Sequence, residues 1–293
     1  MEANQRYVSD ELSHFVGKAL KEEDQYDLLV NKILKSGWLT YGPKHDPSLP
    51  RECGLDFSKP ISKDEAIAYQ VVCFCDIPVA DIAIHTEKYS KFGLAFKKEF
   101  LIDAGACPVF YVSNESPVPA TSLINPDDFS DRINEARLAG RVDRSLYFDT
   151  SVRGIFDLFA AFDALCRKDK DRYLKGGLLS VSECKKRLGA LLGLSEAQIT
   201  STELALKDNA QATATIGIVM DFLLNYVLSF VKCFDAKRSI LDSSNYYMER
   251  EWRVPGNVHF QLDDVLRVFF PKKYAKKFRD DLPEYAGQVN FID

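Results

Sequence analysis

The sequence is poor in the residues that mark the common catalytic and metal-binding classes. It has four histidines, three methionines and two tryptophans in 293 residues, and its seven cysteines form no C-x-x-C pair. An odd number of scattered cysteines excludes a secreted disulfide framework and fits reduced thiols; the missing paired spacing argues against structural zinc. Cys73-x-Cys75 with His85 downstream lacks further ligands, so no metal is expected. No glycine-rich phosphate loop, G-x-S-x-G elbow or H-E-x-x-H helix occurs, which sets aside kinase, P-loop, α/β-hydrolase and zincin chemistry.

An excess of positive charge is also missing. Lys+Arg number 38 against 43 Asp+Glu, giving a net charge of -5 and a pI near 5.5. There is no global field for nucleic acid, and a polyanion would need a local patch. The opening MEANQRYVSDELSHF has no apolar stretch, unlike a secretory signal, so a cytoplasmic location is expected. The one long apolar run, 210–231, carries Asp221 and Asn225 near its middle. A charge there is costly in a bilayer, which predicts a buried core helix and no membrane partner.

What is present is ample core material: 46% hydrophobic residues beside 28% charged, a composition that disordered chains do not have. SHFVGK reads as a short strand, QYDLLVNKILKSG as a helix face that Gly37 ends, and 41–60 as a long loop. AYQVVCFCDIP is the clearest strand, stopped by Pro78, and a helix follows over ADIAIHTEKYSKFG. GLAFKKEFLI and CPVFYVS are two further strands. Past the prolines at 117, 119 and 126 the periodicity turns helical, with a buried face from Ile155 to Cys166. Capping boxes at Ser180-x-x-Glu183 and Ser195-x-x-Gln198 start two more helices. Strands resume in NYYMEREWRV and HFQLDDVLRVFFP, before a basic surface helix, KKYAKKFRDDL. The layout predicts a single α+β domain, with a mixed sheet core from 1–125 and 240–293 and a helical insertion at 126–239.

The most informative stretch is 246–254. Read as a strand, its two-residue period puts Glu249, Glu251 and Arg253 on one face, with Arg250, Trp252 and Val254 on the other. Two neighbouring carboxylates repel, which raises one pKa or is relieved by Arg253; the same pattern also suits an edge strand protected by charge. His14 follows the first strand, with Phe15 beside it. His85 and Tyr89 share a helix face at i, i+4, and Tyr89 and Phe92 beside a glycine suit a stacking platform. Lys272, Lys273, Lys276, Lys277 and Arg279 form either a solvated helix face or a phosphate-binding patch.

Four segments resemble the AbiGi family of bacterial abortive-infection proteins: SDELSHFVGK at 9–18, VCFCDIP at 72–78, HTEKYSKFGLAFKKE at 85–99 with PVFYV at 108–112, and YYMEREWRV at 246–254. Ser90 and Ala95 stand where that pattern commonly has glycine. Members are labelled as the antitoxin partner of a nucleotidyltransferase-like toxin, so the resemblance implies phage defence and a cognate protein partner. The order of elements is more distantly similar to ADP-ribosyltransferases of the DarT kind, which implies an ADP-ribosyltransferase-like fold and NAD as co-substrate, with a nucleic acid or protein as acceptor. On that resemblance Glu251 would stabilise the oxocarbenium-like ribose and Glu249 would orient or deprotonate the acceptor. His14 would bind a ribose hydroxyl, Tyr89 or Phe92 would stack on nicotinamide, and Arg253 or Lys232 would meet the pyrophosphate. The alternative is a non-catalytic antitoxin whose helical middle binds a toxin.

Overall fold

The computed structural model describes residues 9–41, 54–55, 67–68, 70–113, 117–119, 141–143, 193–206, 209–235, 237–239 and 246–292, with single positions 186, 189 and 242. The periodic stretch from Ile155 to Cys166 and the box at Ser180 lie outside them. The chain divides into two compact units. One comprises 1–52, 70–110 and 239–293, the other 53–69 and 111–238.

The first unit is built on a seven-stranded sheet. Its strands are β1 (Glu11–Phe15), β2 (Val71–Cys75), β3 (Gly93–Lys97), β4 (Cys107–Pro108), β5 (Glu251–Pro255), β6 (Val265–Phe270) and β7 (Gln288–Phe291). They lie side by side in the order β7-β6-β3-β1-β2-β5-β4. Only β6 and β7 run parallel; the other neighbours are antiparallel. With its helices, the sheet makes the protein α+β.

One face of the sheet is apolar. Leu12, Phe74, Leu94, Phe96, Val254, Val268 and Phe270 are buried on it against Tyr26, Leu29, Val30, Ile33 and Leu34. Those partners come from a helix, Glu22–Asp27, that widens into a π-turn over Leu28–Leu34. Gly37 ends this segment at φ +71°, where a Cβ would come 2.6 Å from the Phe260 carbonyl oxygen, so only glycine fits. Alternation sends the intervening residues of each strand to the opposite face, where a small apolar cluster of Ile82, Ala95 and Phe269, with Phe15 against it, meets a polar group described below.

Three expectations need correction. Residues 246–254 are not one strand: Tyr246–Glu249 is a 3-10 turn, Arg250 takes φ +47°, and β5 begins only at Glu251. The strand over GLAFKKEFLI stops at Lys97, and Lys98–Asp103 is a helix whose Leu101 is buried. In the second unit the run 210–231 is a helix, Ala210–Phe222, followed by π and 3-10 turns up to Phe230. It is not a buried core helix, because Ile218, Phe222 and Tyr226 are 70%, 56% and 54% exposed. Among the described residues no helix is long and apolar enough to cross a membrane. The box at Ser195 forms as read: its backbone N–H donates to the Gln198 side chain at 2.8 Å, and the Gln198 N–H donates to the Ser195 hydroxyl at 3.4 Å.

Candidate functional site

Cross-strand register sets out a row on the second face. Glu251 pairs with Cys75, Cys75 with Ser13, Ser13 with Ala95, and Ala95 with Arg267. Partners in register share a face, so Glu251, Cys75 and Ser13 stand together, with Arg253 two positions along β5. Arg253 donates to the Glu251 carboxylate at 2.6 Å, and both side chains are 4% exposed.

Glu249 reaches the same neighbourhood by another route. The left-handed backbone at Arg250 turns the chain between the two glutamates, so they do not follow strand alternation. Asp76 holds this turn. Its backbone N–H donates to the Arg250 carbonyl at 3.3 Å. Its carboxylate accepts from Arg250 Nη2 at 3.2 Å, from Lys98 Nζ at 3.0 Å and from the Ser9 backbone N–H at 2.9 Å. Buried Glu249 then receives Lys88 Nζ at 2.5 Å and the Tyr89 hydroxyl at 2.6 Å. Both donors belong to the helix Ala83–Lys88 and its C-cap. The His85 ring, one turn back, stacks on Tyr89 at 6.0 Å between centroids.

The electrostatics follow from burial. Burial pushes the Cys75 thiol up to about 12, and the charge of Glu249 adds to the effect, so Cys75 is no nucleophile at neutral pH. Burial also lowers the pKa of His85; Glu249 opposes the shift and Lys88 reinforces it, leaving a neutral imidazole. Two atoms in this region, Ser13 Oγ and His85 Nδ1, are buried with no hydrogen-bond partner among the described residues. A neutral ring nitrogen and a hydroxyl in that position keep unused hydrogen-bonding capacity, which an uncharged polar group reaching them would satisfy.

Several of the expected residues stand elsewhere. His14 lies on the apolar face, its ring 5.7 Å from Phe74, so Ser13 and not His14 faces the Glu251 side. The Nδ1 of His14 donates to the Cys73 carbonyl at 2.7 Å. That bond fixes the proton on Nδ1 and leaves Nε2 as an acceptor, while burial lowers the pKa of the ring. It also marks a fork: β1 and β2 share a single register pair, where β1 and β3 share five. Phe92 is fully buried, edge-on to Tyr26 and Tyr274, and offers no stacking surface. Phe15 packs on Phe269 at 5.7 Å. Lys232 belongs to the second unit, on a strand, Val231–Phe234, that pairs with one holding Tyr111. Lys88, Ser13 and Asp76 fall within the segments quoted for the family resemblance, but no local pattern singles them out; the contact between Lys88 and Glu249 spans 161 positions. Among the described residues no group of histidine, cysteine and acidic side chains is arranged to hold a metal.

Fold and site together define a mixed α+β protein with a buried charged cluster on one face of its sheet. Over residues 50–285 the chain matches the family described as putative abortive phage resistance protein AbiGi, antitoxin. It belongs to that family, and its role is in abortive-infection phage defence. The matched span holds every member of the cluster except Ser13. No curated protein and no solved structure gives a significant match.

Proposed function

We propose that this phage-defence protein consumes NAD and transfers ADP-ribose to a macromolecule, with the chemistry at the Glu249–Glu251 cluster. One observation carries the reading: Ser13 Oγ and His85 Nδ1 are buried without partners beside two buried carboxylates. Replacing buried ion pairs with apolar residues is often neutral or stabilising, so four buried charges and two orphaned polar atoms are a poor stability device and a good ligand site. Ribose hydroxyls and a carboxamide are uncharged hydrogen-bonding groups of the kind such a site would take.

In the proposed step the bond from ribose C1′ to the nicotinamide nitrogen breaks, and nicotinamide leaves with the electron pair. The positive charge that develops on the ribose is stabilised by Glu251. An acceptor hydroxyl then bonds to C1′ and passes its proton to Glu249. Purified protein incubated with labelled NAD and bacterial lysate is expected to release nicotinamide and label an acceptor, and Glu249→Gln and Ser13→Ala are expected to lose both. Folded variants that retain full activity would overturn the assignment, as would folded wild-type protein that releases nothing even in phage-infected lysate.

A second reading, a non-catalytic antitoxin that occupies a toxin, is favoured by the exposed Ile218, Phe222 and Tyr226 in the second unit. It expects co-purification with a toxin encoded alongside, lost in Phe222→Glu and indifferent to Ser13→Ala.

A further inference from the structure

We infer that Lys18 and Lys88, set around the ring of Tyr89, form a phosphate-binding rim for a nucleotide; this rests on the nucleotide-consuming reading above and assigns it the residues that hold its phosphates. The Lys18 ammonium lies 5.1 Å from the Tyr89 ring centroid and that of Lys88 lies 5.6 Å from it. Both ammonium groups thus gather at one ring, where the charge of Lys88 is compensated by Glu249 and that of Lys18 faces an incoming anion. Their settings differ. Lys88 is anchored on Glu249, whereas Lys18 is exposed and held against Tyr89 by a cation–π contact that is weak enough at an exposed site to be exchanged for a phosphate.

Lys18 is delivered by a built turn. Gly17 has φ +75°, and a Cβ there would come 2.9 Å from Gln25 Cγ. The Gln25 side-chain amide donates to the Gly17 and Leu20 carbonyls at 2.9 and 3.1 Å. The Leu20 N–H donates to the Gly17 carbonyl at 2.8 Å. Deeper than this rim the chemistry changes sign: Glu249 and Glu251 are buried and repel phosphate, while neutral His85, stacked on the same ring, has an unpartnered Nδ1. A ligand that satisfies both levels is anionic outside and uncharged but polar inside, as a nucleoside with its phosphates is. Of the two residues that the sequence offered for this task, Arg253 is 3% exposed and bound to Glu251, and Lys232 belongs to the second unit.

The test is calorimetric binding of NAD, nicotinamide riboside and inorganic pyrophosphate to the full chain and to its Lys18→Met and Lys18→Arg variants at low and moderate salt. Lys18→Met is expected to weaken NAD and pyrophosphate about tenfold, as loss of a charge-assisted contact does. It should leave the riboside unchanged and flatten the salt dependence, while Lys18→Arg keeps most of the affinity. Equal losses for NAD and riboside, or no loss at all, overturn the rim. Riboside binding without any gain from the phosphates overturns the rim and leaves the NAD reading standing. Lys18-dependent pyrophosphate binding without NAD binding supports the rim and overturns that reading. Failure to bind all three overturns both.

Discussion

The two faces of the seven-stranded sheet come from the same strands and obey opposite rules. One carries Leu12, Phe74, Leu94, Phe96 and Phe270, closed under the helix at 22–34 with almost no exposed surface. The other carries Ser13, Cys75, Glu251 and Arg253, equally buried but charged. Apolar burial is non-directional and stabilises in proportion to area. The charged face stabilises only while each ion keeps its partner, since desolvating an ion costs more than an exposed pair returns. The apolar face thus supplies the stability that lets the other hold a chemically demanding arrangement.

The largest expected effect is on the apolar side. Phe96 is fully buried and packs edge-on to both Phe74 and Phe260. Phe96→Ala is expected to cost about 3–5 kcal/mol in denaturant unfolding, with the slope against denaturant unchanged. A loss under about 1 kcal/mol would mean that this face is not the main support.

On the charged side, Arg253→Met removes the 2.6 Å donor from a Glu251 carboxylate that is 4% exposed and is expected to cost about 3 kcal/mol. The double variant Glu251→Leu with Arg253→Met is expected to recover most of that loss. Recovery would show that the pair is not there for stability; a double variant as unstable as the single would show that it is. It follows that Glu251→Gln is not silent in a thermal melt, contrary to what an exposed strand face would suggest, and activity in that variant has meaning only alongside a folding measurement.

Local rules were readable where a single element decides. The β-branched and aromatic run stopped by Pro78 located β2, and the spacing of Leu28, Leu29, Ile33 and Leu34 with Gly37 located the first helix. The 246–254 stretch failed because its decisive feature, a left-handed Arg250, has no local signature: neither glycine nor asparagine stands there, and the conformation is held by Asp76, 174 positions away. The same limit hid Lys88 and Ser13. Ser13 is placed by the register of β1 on β2, and Lys88 meets Glu249 only when the helix at 83–88 packs on the turn at 246–249, both of which the chain acquires only on folding. His14 and Ser13 are one position apart, and in a strand one position is the other face.

A smaller effect separates the faces by pH. Folded His14 and His85 both titrate below the ordinary histidine value of 6.5 because they are buried. The unfolded chain takes up these protons at about pH 6.5, so below that pH it binds more protons than the folded protein does. Stability is therefore expected to be flat above pH 6.5 and to fall as the pH drops towards the folded values. His85→Gln should remove part of the slope, leaving the share due to His14 on the other face. An unchanged slope would place the proton uptake elsewhere.

The smallest expected effect is also the most discriminating. The hydroxyl of Ser13 is 1% exposed and has no partner, a state that costs about 1–3 kcal/mol when no water or ligand answers it. Ser13→Ala is therefore expected to raise stability slightly, by up to about 1 kcal/mol, while weakening NAD binding. That combination is the mark of a group kept for a ligand at the expense of the fold. If Ser13→Ala instead lowers stability and leaves binding alone, the hydroxyl has a structural partner such as an ordered water, and the charged face loses its best claim to be a site.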